Sequence, residues 1–212
     1  FVAGREDDQQ VKRLLAGLTA AKGRALPMTQ SLLQRISRKD NPQIVLGAFG
    51  QRWDSLDDID ASKDETWVAL DRVRDPGNLG TVMRSADAVG ASGVILIGDC
   101  TDPYSVETVR ASMGAVFNTR IIACSELAFL KFATGWQGRI LGTTLPASID
   151  YQKADYKRPL ILLMGNEQSG LTENLMEACS QLIKLPMLGR SDSLNLAVAT
   201  GVVLYKALAR RG

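Results

Sequence analysis

The stretch Gln181-Leu-Ile-Lys-Leu-Pro-Met-Leu-Gly-Arg-Ser-Asp-Ser-Leu-Asn-Leu-Ala-Val-Ala-Thr-Gly-Val-Val-Leu-Tyr205 decides the fold class. An apolar strand is expected over Gln181–Leu185 and stops at Pro186, which has no backbone N–H to offer a ladder. A loop carrying Gly189, Asp192 and Ser193 follows, and Ser193 or Asp192 is placed to cap a helix that starts at Leu194 and runs past Tyr205. Leu194, Ala197, Val198, Gly201, Val202, Tyr205 and Leu208 recur at i, i+3, i+4 and give that helix an apolar face. Val203 and Leu204 widen the stripe, so the helix is expected to be covered on more than one side. Ser193 and Asn195 put short polar side chains where strand meets helix. In open α/β sheets that is where ligands bind.

Upstream, short apolar runs alternate with helical periods. Strands are predicted at Trp67–Leu70, Val94–Ile97, Arg120–Ala123, Ile140–Thr143 and Leu160–Met164. Helices are predicted at Asn78–Val89, from Tyr104, at Glu126–Thr134 and at Thr172–Cys179. Such alternation predicts an α/β domain over 65–212, a parallel sheet with helices on both faces. Residues 53–64 hold Asp54, Asp57, Asp58, Asp60 and Asp64 without apolar periodicity and read as an acidic linker. Residues 1–52 read as a small α/β unit. Val11, Leu14, Leu15 and Leu18 share one helical face, a second helix runs from Thr29 or Gln30 to Ile36, and Ile44–Phe49 reads as a strand.

Composition narrows the chemistry. The 212 residues contain no histidine, which removes Ser-His-Asp hydrolysis, H-E-x-x-H zinc chemistry and a histidine general base. Cys100, Cys124 and Cys179 show no C-x-x-C spacing, so no metal site and a reduced, cytoplasmic setting are expected. No apolar run approaches a membrane span, and Phe1-Val-Ala-Gly leads straight into charged residues rather than a secretory signal. Net charge is only +2, but it is unevenly spread. Between Gln9 and Lys39 there is no acidic residue, while Lys12, Arg13, Lys22, Arg24, Arg35, Arg38 and Lys39 are basic. That asymmetry suits phosphates, with Arg35, Arg38 and Lys39 the candidate contacts; a plain solvated helix face is the alternative.

Two further stretches carry chemistry. Asp71-Arg-Val-Arg-Asp-Pro-Gly-Asn-Leu-Gly-Thr-Val-Met-Arg84 joins turn residues to a helix start, with Asn78 as a candidate cap and Gly80 marking a close helix or subunit approach. Leu163-Met-Gly-Asn-Glu-Gln-Ser-Gly-Leu171 follows a strand, and Gly165 and Gly170 there allow a ligand near the backbone or a turn at positive φ. No G-x-G-x-x-G opens a helix after a strand, so the dinucleotide fingerprint is absent.

These stretches, with Gln181–Tyr205, resemble in order the three motifs of SpoU/TrmH-type RNA ribose methyltransferases of the SPOUT class, and cover most of 65–212. The resemblance implies a deep C-terminal trefoil knot, a homodimer, and S-adenosyl-L-methionine as methyl donor to a ribose 2′-hydroxyl of ribosomal or, next, transfer RNA. It implies a site of Asn78, Arg84, Glu167, Ser193 and Asn195, and a cofactor pocket lined by Gly165, Leu185 and Leu194, with Thr143 beside them. The matching arginine is the family's proposed base. A guanidinium is in practice always charged, so Arg84 is better suited to a neighbouring phosphate and the developing alkoxide. The small N-terminal unit resembles the later part of the family's RNA substrate domain, whose opening strand and helix are expected to be missing or disordered here. Two other readings stand beside this one: an RNA-binding protein that kept the fold without activity, and an unrelated nucleotide-binding α/β enzyme.

Overall fold

In a computed structural model, which describes residues 1–38, 40–145, 147 and 149–209, the chain divides into two compact units, 1–50 and 51–212. The first holds helices α1 (Gln9–Ala20) and α2 (Gln30–Ser37), capped by the side chains of Asp8 and Thr29. The strand expected over Ile44–Phe49 does not form. A strand needs a row of partners, and here Val2 N–H donates to the Ile44 carbonyl (2.9 Å) while Phe49 stands exposed.

The second unit is built on a parallel sheet of seven strands: β1 (Thr66–Asp71), β2 (Gly93–Ile97), β3 (Arg120–Cys124), β4 (Arg139–Thr143), β5 (Ile149–Asp150), β6 (Leu160–Met164) and β7 (Gln181–Lys184). Their order across the sheet is β3-β2-β1-β6-β4-β7-β5. Helices between them are α3 (Pro76–Ala88), α4 (Val106–Ala111), α5 (Glu126–Thr134), α6 (Glu173–Glu177) and the last, α7 (Leu196–Leu208). Strand parity sorts the core into two layers. Val68, Leu70, Leu162 and Met164 pack with residues of α3 and α7, while Trp67, Ala69, Ile161 and Leu163 pack with Phe129 of α5 and Leu175 of α6. Helices therefore cover both faces, and of the strands buried on both, β6 is apolar throughout and β1 is apolar but for Thr66 and Asp71 at its ends.

The acidic stretch expected as a linker is packed onto this unit. Asp54 N–H donates to the Ile121 carbonyl (2.9 Å), its carboxylate accepts from Arg120 Nε (2.6 Å), and Ile59 is buried. Gly80 is where two helices meet: a Cβ there would lie 2.5 Å from the Thr108 carbonyl oxygen and from Ala111 Cβ of α4.

Two caps differ from expectation, for one reason. Asp75 caps α3 by accepting from Asn78 N–H (2.6 Å), and Pro76 occupies the first helical position, so Asn78 lies inside the first turn. Asn195 caps α7, accepting from Ala197 N–H (2.9 Å) and Val198 N–H (3.2 Å), so that helix begins at Leu196 rather than Leu194. In each case a carboxylate or amide oxygen takes the first free amides. The face of α7 also differs. Leu196, Thr200, Val203 and Leu204 face the core, whereas Leu194, Val198, Val202 and Tyr205 of the predicted stripe are exposed. Among the described residues no helix is long and apolar enough to cross a membrane.

Candidate active site

The carboxyl ends of β4, β6 and β7 and the start of α7 enclose a cavity of about 630 Å³, within the range of small-molecule sites. Thr143 and Gly165 sit at the ends of β4 and β6, and Leu185 follows β7. Ser193, Leu194 and Asn195 come from the approach to α7, and Asn78 and Glu167 reach the same space from the first and second motifs. The wall is mixed: Met164, Leu185, Leu194 and Leu196 supply apolar surface, while Asn166, Glu167, Gln168 and Ser169 of the loop 165–170 make one side polar.

Gly165 is demanded by that loop. A Cβ on it would stand 2.6 Å from both Gly170 C and Leu171 N, backbone atoms that cannot swing aside. Gly170 has φ +67 and closes the turn, exchanging N–H···O bonds with Asn166 (3.1 and 2.9 Å). Asn166 Oδ1 accepts from the N–H groups of Gln168 (2.9 Å) and Ser169 (3.1 Å), an Asx turn that holds Glu167 out toward the cavity.

The three motifs join in one hydrogen-bonded chain. Asn195 Oδ1 is occupied by the α7 amides, which leaves its Nδ2 to donate to Asn78 Oδ1 (2.9 Å). Asn78 Nδ2 in turn donates to Glu167 Oε1 (3.2 Å). Each amide is oriented by its neighbour, so the positive end of the α7 dipole is relayed to the Glu167 carboxylate. An Asn at 78 can do this only because Asp75 caps α3.

Arg84 lies elsewhere. It is exposed on α3, does not line the cavity, and makes no ion pair among the described residues. Arg35 and Arg38 belong to the other unit, and Lys39 lies outside the described residues. Thr143 makes only long contacts, to the Leu163 carbonyl (3.5 Å) and Met164 sulfur (3.6 Å), which leaves its hydroxyl available to a ligand. Sequence reasoning misses Asn166 and Leu196. Asn166 signals itself as an Asx residue one before Glu167; Leu196, an ordinary apolar helix residue, carries no such signal. The three cysteines are free thiols outside the cavity, and burial pushes Cys100 and Cys124 up to about 11 and Cys179 up to about 12. They stay protonated at neutral pH. Among the described residues no cluster of three or more Cys, Asp or Glu side chains is placed to hold a metal ion.

Comparison with known proteins follows the same lines. The SpoU rRNA Methylase family matches residues 65–205. The chain is similar to the 23S rRNA (uridine(2479)-2′-O)-methyltransferase of Streptomyces viridochromogenes, 32% identical over 92% of this chain and 70% of that protein. It is also similar to the 23S rRNA (guanosine-2′-O-)-methyltransferase RlmB of Escherichia coli, 31% identical over 100% of this chain and 89% of that one. Among solved structures it resembles an AdoMet-bound rRNA methyltransferase from Sinorhizobium meliloti, with a TM-score of 0.91 and 47% identity over 96% of this chain and 78% of that one. Motif order, sheet order and convergence at one cavity agree with these matches, and the chain belongs to the SpoU rRNA methylase family.

Proposed function

We infer that this protein is an S-adenosylmethionine-dependent methyltransferase acting on a ribose 2′-hydroxyl of RNA, with ribosomal RNA the favoured substrate. The observation that carries the reading is the Glu167–Asn78–Asn195 chain, which brings all three motifs to the mouth of one cavity. The named activities of the relatives supply the substrate class.

The cavity suits the cofactor. Its volume admits a nucleoside joined to an amino acid, Leu185, Leu194 and Leu196 give an adenine ring apolar walls, and Gly165 lets the loop 165–170 fold tightly at the cavity edge. When bound, S-adenosylmethionine supplies a methyl group already activated on a sulfonium. The task left to the chain is to place a ribose oxygen in line and stabilise its charge as its proton leaves. The Ser193 hydroxyl and the Asn78 and Asn195 amides are the polar groups at the ribose. Glu167 fixes the Asn78 amide, and alignment of this kind supplies a large part of a barrier reduction.

Arg84 serves the same chemistry from a second subunit. The exposed apolar face of Val198, Val202 and Tyr205 supports a homodimer built on α7, and two-fold symmetry makes two equal composite sites. Arg84, permanently charged, holds the phosphate beside the target ribose and stabilises the developing alkoxide. Family membership supports the trefoil knot at the C-terminal strands. The unit 1–50 is the RNA-holding module, with Arg35, Arg38 and Lys39 on phosphates, and three protonated thiols suit a reducing cytoplasm.

The test is methyl transfer from radiolabelled S-adenosylmethionine to 23S ribosomal RNA and to transfer RNA. Methylation at the 2′-oxygen removes the nucleophile of alkaline cleavage, so label should survive in alkali-resistant dinucleotides. Label confined to alkali-released mononucleotides would overturn ribose methylation. RNA and cofactor binding without any transfer would favour the inactive RNA-binding reading.

A further inference from the structure

Asp71 and Arg72 open the first motif, and neither has a part in the chemistry above. Arg72 has φ +49, a left-handed conformation uncommon for a residue that carries a Cβ. Its carbonyl accepts from Asn166 Nδ2 (2.8 Å), and its guanidinium Nη2 donates to the Gly170 carbonyl (3.3 Å). Those are the two ends of the second-motif loop. The same guanidinium is gripped by Asp71 in a two-point pair, Nε to Oδ1 and Nη2 to Oδ2, both 2.8 Å. Asp71 is 1% exposed and sits at the end of β1, beside the strand that feeds the loop. The hydrogen bonds to Asp71 hold the Arg72 guanidinium above the ordinary arginine range. An unfavourable backbone conformation next to a ligand cavity persists when its neighbours over-determine it, and here both loop ends do.

We propose that Asp71 and Arg72 are positioning residues for the cofactor-binding loop 165–170, setting the depth at which Gly165 and Glu167 meet the cavity. The proposal rests on the cavity being the S-adenosylmethionine site. The brace acts from behind the loop. Asp71 anchors the guanidinium to the sheet, Nη2 fixes the far end at Gly170, and the strained peptide fixes the near end at Asn166. Neither side chain lines the cavity.

Arg72→Gly removes the guanidinium and relieves the positive φ. The pair Asp71→Asn with Arg72→Gly also removes the buried charge, which guards against a variant that fails to fold only because a carboxylate is stranded. Arg72→Lys keeps the charge and loses the two-point geometry. Three quantities are read: amide hydrogen exchange of residues 165–170 in ligand-free protein, the calorimetric Kd for S-adenosylmethionine, and the Kd for RNA. Exchange in the loop should quicken and the cofactor Kd rise about tenfold in both deletions, as expected when a hydrogen bond to a charged group is removed. The lysine variant should fall between, and RNA affinity should not change. Wild-type loop exchange in the folded double variant would overturn the brace, as would cofactor and RNA affinities falling in parallel. If the wild-type protein itself takes up no S-adenosylmethionine, the cavity assignment fails, and the exchange experiment still decides whether the loop is braced.

Discussion

Asn195 does two jobs with two ends of one amide, and three substitutions separate them. Its Oδ1 caps α7 through Ala197 and Val198, and its Nδ2 orients Asn78. Asn195→Ala loses both. Removing a cap costs about 1 kcal/mol, which for a chain of this size lowers Tm by about 2–4 °C. Asn195→Ser and Asn195→Asp keep an acceptor for the amides, and the carboxylate gains about 0.3–1 kcal/mol from the helix dipole. Both should therefore melt near wild type. Neither can serve the chain to Glu167: the serine hydroxyl, one bond shorter than the amide nitrogen it replaces, stops short of Asn78 Oδ1. With a carboxylate at 195, Asn78 can turn its one NH2 toward that group or toward Glu167, and either choice leaves two acceptors face to face. A hydrogen bond to a charged group is worth about 1.5–3 kcal/mol, and at a site open to water the lower end applies. Turnover of methylated RNA should thus fall on the order of tenfold in all three variants. Circular-dichroism melts and single-turnover methylation on the same preparations decide the matter. Wild-type turnover in Asn195→Asp with an undiminished Tm would refute the relay.

Gly165→Ala should be worse for the cofactor than for the fold. Ordinary contact starts at 3.4 Å and the new Cβ would meet backbone at 2.6 Å, so the loop must retreat by roughly 0.8 Å, at a cost of about 1–3 kcal/mol. Calorimetry should show S-adenosylmethionine affinity reduced at least about tenfold, and an unchanged Kd would move the cofactor away from this loop. Arg84→Ala, nearly inactive, and Asn195→Ala, reduced about tenfold, should together reach about a quarter of wild-type activity or slightly more when refolded in equal amounts, because half the dimers then carry one intact composite site. Mixed dimers as inactive as their parents would place both residues in one subunit's site. Replacing Arg35, Arg38 and Lys39 with Gln should flatten the plot of log RNA affinity against log salt by somewhat under about one unit for each phosphate no longer neutralised. A constant slope would put the RNA on another surface.

The sheet and the meeting of the motifs were legible because both depend on residue types that announce themselves. Runs such as Leu160–Met164 leave little choice of element, and Gly165, Glu167 and Asn195 stand at strand ends where side chains of that kind have few structural duties. The caps were legible only in part. Asp75 and Asn78 are both good capping residues, and Pro76 at the first helical position is the signal that favours Asp75. The exposed face of α7 was hidden because the helix is apolar on two sides, and periodicity does not say which side meets the sheet. Arg72 was invisible, since a positive φ at an arginine is imposed by Asp71, Asn166 and Gly170 rather than by local propensity. The segment Ile44–Phe49 has strand composition, but strand character belongs to pairs, and its partners are not in the sequence of the segment itself.

The different ways in which α3 and α7 are capped bear on how such an enzyme could be retired in evolution. Because Asp75 takes the capping duty, Asn78 can be replaced without cost to its helix, and the descendant keeps its cavity, the exposed apolar face of α7 and its basic unit. Asn195 offers a narrower exit, because replacements other than capping residues such as Ser and Asp weaken α7 as well as the link to Asn78. A lineage drifting from modifying RNA to merely holding it would lose position 78 first and position 195 late. The order of loss across relatives would then separate working enzymes from silent binders before any assay is run.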